Sequence, residues 1–183
     1  MPDTRNIVLL TTGGTIEKTY DEFSGMLTNR GPIVRRMLSR LKLTDTQIQI
    51  RELMSKDSLH MTEMDREQIV AAVRTVIRPP EDTTGVIILH GTDTLCVTGE
   101  RLHAELFGPA GVAPPRVPVV LTGAMRPFEM KRSDALQNLT EALLATSVVE
   151  PGVYVAAHGR VLRFPGVVKD RERGTFVKVS SGG

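Results

Sequence analysis

Short apolar runs that end in glycine and threonine, separated by stretches of helical periodicity, constrain this chain more than any other feature. Residues 7–10 (Ile-Val-Leu-Leu), 86–89 (Val-Ile-Ile-Leu), 119–121 (Val-Val-Leu) and 153–157 (Val-Tyr-Val-Ala-Ala) are continuous apolar segments of strand length. Residues 47–53 alternate polar and apolar, as a half-buried strand does. Between them the pattern predicts helices over residues 33–41, 63–78, about 94–107 and 133–145. Pro32 stands near the first turn of the first helix. Thr62 can cap the second, Ile69, Val70, Val73 and Ile77 share one of its faces, and Pro79 and Pro80 stop it. Leu136, Leu139, Leu143 and Leu144 stripe the last helix. Continuous apolar strands separated by helices read as a parallel sheet buried on both faces. A Pro/Gly-rich connection covers residues 108–118, residues 180–183 read as a loose tail, and there is no internal repeat or domain linker.

Composition excludes several function classes. The 183 residues suit one domain, and 23 Lys and Arg against 21 Asp and Glu leave a formal net charge of +2. That balance does not suggest a basic groove for nucleic acid, and two Tyr, five Phe and no Trp argue against base stacking. The single cysteine, Cys96, has no partner for a disulfide or a zinc site. His60, His90, His103 and His158 show no paired metal spacing, so no metal is expected. The apolar run at residues 7–10 is too short for a signal peptide or a membrane helix. A soluble, cytoplasmic protein without a membrane or nucleic-acid partner is the expectation.

In open parallel sheets, ligands bind beyond the carboxyl ends of the strands. Three predicted strands run into polar segments there: Thr11-Thr-Gly-Gly-Thr15, His90-Gly-Thr-Asp-Thr94 and Thr122-Gly-Ala-Met-Arg-Pro127. Gly13 and Gly14 permit a sharp turn, which is either a plain strand-to-loop turn or a close approach to a ligand with the Thr15 hydroxyl beside exposed N–H groups. The stretch from Gly14 to Thr19 fails as a phosphate loop, because Glu17 stands where that motif needs glycine. Thr92 and Asp93 are either a helix cap or a reactive pair. A threonine hydroxyl needs a base, and a lysine oriented by an aspartate can serve. Lys169, beyond the strand at residues 153–157, is either that base or a surface residue. Residues 20–31 lack apolar periodicity and read as a long loop, either a lid in which Tyr20 covers or polarises Thr15 or a disordered surface loop with an incidental tyrosine.

Together these residues resemble the bacterial-type L-asparaginase family. Thr12-Gly-Gly-Thr-Ile16 resembles its first signature and His90-Gly-Thr-Asp-Thr94 its second. Gly123-Ala-Met-Arg-Pro127, with Ser133, Asp134, Asn138 and Leu139, resembles the segment after the next strand, and Asp57-Ser58 with Met61-Thr62 resembles the substrate-binding turn. The resemblance runs from Asn6 to about Arg171. It implies an α/β fold, a Rossmann-like, mostly parallel sheet with helices on both faces, in a single domain over residues 1–179. The family's smaller C-terminal domain is expected to be absent. It implies L-asparagine as substrate, hydrolysed to L-aspartate and ammonia without metal or organic cofactor. Thr15 stands in the place of the nucleophile that forms an acyl-enzyme. Thr92, Asp93 and Lys169 form a proton-relaying cluster, and Tyr20 matches the flap tyrosine. Ser58, Leu59, Asp93 and Gly14 are the implied substrate contacts.

Departures from the family pattern are Leu59 in place of a polar residue and Glu17 in place of a small one. Without a second domain, the acidic residue that domain supplies must be replaced or the site left more open, and the expectation is that Glu17 or Asp21 takes part of that role or that an oligomer contact closes the site differently. A homo-oligomer, dimer or tetramer, is expected to cover the apolar surface left open. The competing readings are a non-catalytic asparagine-binding or interaction module and the related subunit of the archaeal tRNA-dependent amidotransferase. The lack of an extra N-terminal domain and of a basic face weighs against the latter.

Overall fold

Every apolar run read as a strand is one, and the helices between them follow the predicted order. The computed structural model describes residues 4–29, 33–78, 82–108 and 114–179. Along the chain lie β1 (Arg5–Thr11), β2 (Lys18–Asp21), β3 (Met26–Asn29), α1 (Ile33–Leu38), β4 (Thr46–Glu52), α2 (Glu63–Val76), β5 (Gly85–Leu89), α3 (Leu95–Phe107), β6 (Val119–Thr122), α4 (Ala135–Val148), β7 (Val153–Ala157), β8 (Arg160–Arg163), β9 (Val167–Asp170) and β10 (Thr175–Lys178). The central sheet has the order β4-β1-β5-β6-β7-β8. Its first five strands are mutually parallel, and β8 returns antiparallel to β7. Register pairs Leu9 with Ile50 on one side and Ile87 on the other.

Because side chains alternate across a strand, the apolar runs feed two cores at once. Val8, Leu10, Val86, Ile88, Val119 and Leu121 pack with Ile69 and Val73 of α2 and with Leu95 and Leu102 of α3. Ile7, Leu9, Ile87, Leu89, Val120 and Ala156 pack with Ile33, Val34 and Met37 of α1 and with Ala135, Leu139 and Leu143 of α4. This is the predicted α/β fold, a mostly parallel sheet with helices on both faces. Among the described residues, no helix is long and apolar enough to cross a membrane.

Local chemistry sets the helix ends. Thr62 caps α2 as expected, in a reciprocal box: its Oγ1 accepts from the Asp65 amide at 3.3 Å, and Asp65 Oδ2 accepts from the Thr62 amide at 2.8 Å. The helix stops at Val76, and Pro79 and Pro80 lie outside the described residues, as do Pro32 and the predicted tail at 180–183. The helix predicted over residues 33–41 ends at Leu38, where Arg40 and Leu41 turn to tighter bonds with the carbonyls three residues back. The helix predicted over 133–145 runs from Ala135 to Val148 instead. Ser133 Oγ takes the Ala135 amide and Asp134 takes the amides of Met125 and Arg126, so both residues act outside the helix.

Two segments differ from the sequence reading. Residues 18–29 contain a β-hairpin rather than a loop, with β2 and β3 antiparallel and Thr19 facing Thr28. Its buried side is polar, Thr19 and Asp21, while Tyr20 is exposed, so the usual apolar alternation is inverted. After β7 the chain adds β8 to the sheet and then forms the separate hairpin β9–β10. Phe164, Val167 and Phe176 bury against the α3 side of the sheet, and Glu100 Oε1 on α3 accepts from the amides of Gly166 and Val167 at 2.5 and 3.3 Å. That anchorage fixes the strand carrying Lys169.

Candidate active site

The polar segments that follow β1 and β5 meet through glycine. Gly14 has φ +88°, and a Cβ built on it would lie 2.6 Å from both Cα and N of Gly91. Only two glycines allow backbones this close. Thr15 and Thr92 are the residues that follow those two glycines, so one contact sets the approach of both hydroxyl-bearing turns. A third segment closes on the same point: a Cβ on Gly91 would lie 2.5 Å from Ser58 Oγ. The Thr94 hydroxyl donates to the Ser58 carbonyl at 2.8 Å, and the Thr12 hydroxyl and amide both donate to Leu89 O.

Lys169 completes the cluster from β9. Its Nζ lies 2.9 Å from Thr92 Oγ1 and 2.9 Å from Asp93 Oδ1, donating to both. Thr92 is 5% exposed, so this contact is shielded from solvent. Thr15 opens a single 3₁₀ turn, Thr15–Glu17, and is partly exposed. Its hydroxyl has no hydrogen-bond partner among the described residues, and neither has the buried Ser58 Oγ. The two groups best suited to meet a ligand are thus left unpaired, an unfavourable state for a buried hydroxyl that a bound polar group relieves.

The remaining expected residues fall differently. Leu59 is 62% exposed, and its amide donates to Asp57 Oδ1 at 3.1 Å, which shapes the turn that presents Ser58. Lys18 Nζ binds Asp57 Oδ2 at 2.9 Å, tying the β2–β3 hairpin to that turn and holding the Asp57 carboxyl below its ordinary range. Tyr20 is 60% exposed, and its hydroxyl lies beside Gly25 across the hairpin. Asp21 holds the hairpin tip, accepting from the Phe23 amide and the Ser24 hydroxyl. Among the described residues no group of three or more His, Cys, Asp or Glu is arranged to hold a metal ion.

Two buried titratable groups brace these turns, and the sequence signals the burial of neither. Glu17 Oε2 accepts from the Gly13 amide at 3.1 Å, bridging both ends of the turn that carries Thr15. Burial pushes the Glu17 carboxyl up to about 7, against the lowering effect of the Gly13 amide, and nearby Glu52 adds to the rise. His90 is fully buried, and burial lowers it to about 4. Its Nδ1 faces the Gly91 carbonyl at 2.8 Å and so carries the proton, while Nε2 accepts from the Thr98 hydroxyl at 2.9 Å. A neutral His90 therefore pins the Gly91 carbonyl. Cys96, pushed up to about 11 mainly by burial, stays a thiol.

Comparison with known proteins places this arrangement in a family. Residues 6–176 match the family model described as Asparaginase, N-terminal. The L-asparaginase of Thermococcus kodakarensis is 30% identical over 156 residues, 85% of this chain and 45% of that protein. Its solved structure superimposes with a TM-score of 0.82, over 95% of this chain and 51% of that one. A glutamyl-tRNA(Gln) amidotransferase subunit from Methanococcus vannielii is 28% identical over 163 residues, 87% of this chain and 36% of that protein. A probable cytoplasmic L-asparaginase from Campylobacter jejuni superimposes with a TM-score of 0.72 at 27% identity, over 95% of this chain and 51% of that one. The chain thus spans about half or less of the length of these relatives.

The two buried groups give stability opposite pH dependences. Glu17 has a raised folded value, so the folded protein keeps a proton that the unfolded chain releases between pH 4.5 and about 7. Its contribution falls as pH rises through that window. His90 has a lowered folded value, so its contribution is lost as pH falls from 6.5 toward about 4. The two slopes oppose each other where the windows overlap. Glu17→Gln keeps the acceptor for Gly13 and removes one slope. Urea denaturation from pH 4.5 to 8 is expected to show the variant more stable than wild type at pH 8 by roughly 1–3 kcal/mol, with the difference shrinking toward pH 4.5. An identical pH profile for both proteins would show that Glu17 is not held protonated.

Proposed function

This chain belongs to the asparaginase family, and we propose that it is an amidohydrolase acting on L-asparagine through a threonine nucleophile. The observation that carries this reading is the Lys169 amine set 2.9 Å from Thr92 Oγ1 and 2.9 Å from Asp93 Oδ1, at the tips of the strands where Thr15 also stands. In this reading Thr15 Oγ attacks the side-chain amide carbon of asparagine. The developing oxyanion takes hydrogen bonds from N–H groups around Gly14 and Thr92. The C–N bond breaks, ammonia leaves with the proton passed on by the cluster, and an aspartyl ester on Thr15 remains. Water then cleaves the ester, releasing L-aspartate and restoring the hydroxyl.

The other groups take roles their chemistry suits. The proton that Thr15 sheds on attack passes through the Thr92 hydroxyl and the Lys169 amine to the departing nitrogen, and Asp93 keeps the amine in place. Asp93 also offers a carboxylate to the substrate's α-ammonium group, a charge-assisted contact. Ser58 donates to the α-carboxylate, which supplies the partner its hydroxyl lacks. The Gly14 backbone lines the substrate, with Leu59 beside it. Tyr20 acts only if the hairpin closes over Thr15.

A second reading is supported by the 28% identity to the glutamyl-tRNA(Gln) amidotransferase of Methanococcus vannielii. The name of that relative makes it a subunit of an amidotransferase acting on glutamyl-tRNA(Gln). Ammonia release separates the readings. Wild type is expected to release ammonia from free L-asparagine, and Thr15→Ala to lose at least about 10³-fold in kcat while still binding asparagine. Release that requires glutamyl-tRNA(Gln) would favour the second reading. Binding without turnover by wild type would favour a non-catalytic module, and full activity in Thr15→Ala would remove Thr15 as nucleophile.

Residues 1–179 act in this reading as one catalytic domain, in the cytoplasm, as the name of the Campylobacter jejuni relative suggests. We also propose self-association as a dimer or tetramer. Tyr20, Phe23 and Met26 on the hairpin are 60%, 96% and 61% exposed, and a second copy would cover them. Analytical ultracentrifugation at micromolar concentration is expected to show an assembly, and a lone monomer would count against it.

A further inference from the structure

A second polar centre lies at the carboxyl end of β7, on residues the proposed reaction does not use. His158 has φ +53° and its ring is held at both nitrogens. Nε2 lies 2.8 Å from Asp134 Oδ2, and Nδ1 lies 3.0 Å from Thr175 Oγ1 on β10. Asn138 fixes the backbone beside it, accepting from the His158 amide at 3.0 Å and donating to Asp134 Oδ2 at 2.9 Å. Burial alone raises the Asp134 carboxyl, but the Met125 amide, His158 and the Arg126 amide outweigh it and hold it below the ordinary range. Asp134 therefore stays ionised and draws the imidazole proton to Nε2. The other ring nitrogen, Nδ1, faces the Thr175 hydroxyl.

The outer side of this centre is positive. A cavity of about 390 Å³ is lined by His158, Arg160, Arg173, Gly174 and Thr175. Among the described residues, no acidic side chain lines it. Neither guanidinium has an ion-pair partner among the described residues, although both are exposed. Asp170, the carboxylate on the β9 side of the turn, is directed to the amides of Glu172 and Arg173, where it shapes the β9–β10 connection. The nearest carboxylates are engaged elsewhere, Glu141 Oε1 with the Gly159 amide at 2.8 Å and Asp134 with His158, and two unpaired like charges over one cavity favour an anion between them. Guanidinium groups match the planar or tetrahedral oxygens of carboxylate and phosphate in paired hydrogen bonds. The fixed ring and the Thr175 hydroxyl give the cavity a rigid polar floor.

We propose that this cavity is a binding site for a small oxyanion, a carboxylate or phosphate group clamped between Arg160 and Arg173 above His158 and Thr175. The proposal does not depend on the function assigned to the Thr15 cluster. Isothermal titration of the full chain, at constant ionic strength in a buffer free of other polyvalent anions, tests it with sodium phosphate and with sodium succinate. Saturable binding of one or both is expected in wild type, and which anion binds identifies the source. The double variant Arg160→Ala/Arg173→Ala is expected to bind at least about tenfold more weakly. Arg35→Ala, which removes one positive charge from α1, is expected to bind like wild type. Circular dichroism on the variants confirms that they fold. No saturable binding of either anion up to about 10 mM, or equal binding by the double variant, would overturn the proposal.

Discussion

The arrangement depends on one amine crossing from a small hairpin to the main sheet. Lys169 sits on β9, outside the six-stranded sheet, yet its Nζ meets Thr92 and Asp93 beyond β5. That reach exists because Phe164 and Phe176 bury into the core and Glu100 takes the amides at the start of β9. The Lys169 side chain is only partly exposed, and losing Asp93 would remove the carboxylate that faces its amine. The same contact that stabilises the end of the chain against α3 therefore also sets the geometry on which the proposed chemistry relies.

Convergence of the other groups is a matter of backbone volume. Gly14 against Gly91, and Gly91 against Ser58, remove the side chains that would hold three turns apart. Parallel strands bring those turns to one edge, since β1 and β5 are neighbours and both point their carboxyl ends the same way. Around them, Glu17 and the His90 Nδ1 meet the backbone of the turns, and His90 Nε2 is taken by the Thr98 hydroxyl. Thr15 and Ser58 are left with hydroxyls unsatisfied among the described residues. Rigid support with free reactive groups is what preorganised chemistry requires.

Much of this is legible in the sequence, and the misses have physical causes. Long apolar strands and Ile69, Val70 and Val73 on one helix face announce the sheet and its cover, because burial on two faces leaves an unmistakable pattern. The two signatures and the substrate-binding turn single out Thr15, Thr92, Asp93 and Ser58, and the structure brings Thr92, Asp93 and Lys169 together. The β2–β3 hairpin stays hidden because it buries Thr19 and Asp21 and exposes Tyr20, the reverse of the expected alternation. Strands β8, β9 and β10 have four residues each, too short for periodicity to declare itself. The burial of Glu17 follows from packing around the turn, which no local pattern encodes. The pairing of Asp134, His158 and Thr175 gives no local signal either, since those residues meet only through tertiary structure.

The claim at the centre is that the Thr92 hydroxyl and the Lys169 amine work as one unit. A double-mutant cycle on kcat/KM for L-asparagine, with Thr92→Val, Lys169→Met and the pair, measures this most directly. The account predicts that each single change costs nearly as much as both together, leaving a coupling energy of at least about 2 kcal/mol. Losses that simply add would contradict it, because the two groups would then act independently despite the 2.9 Å between them.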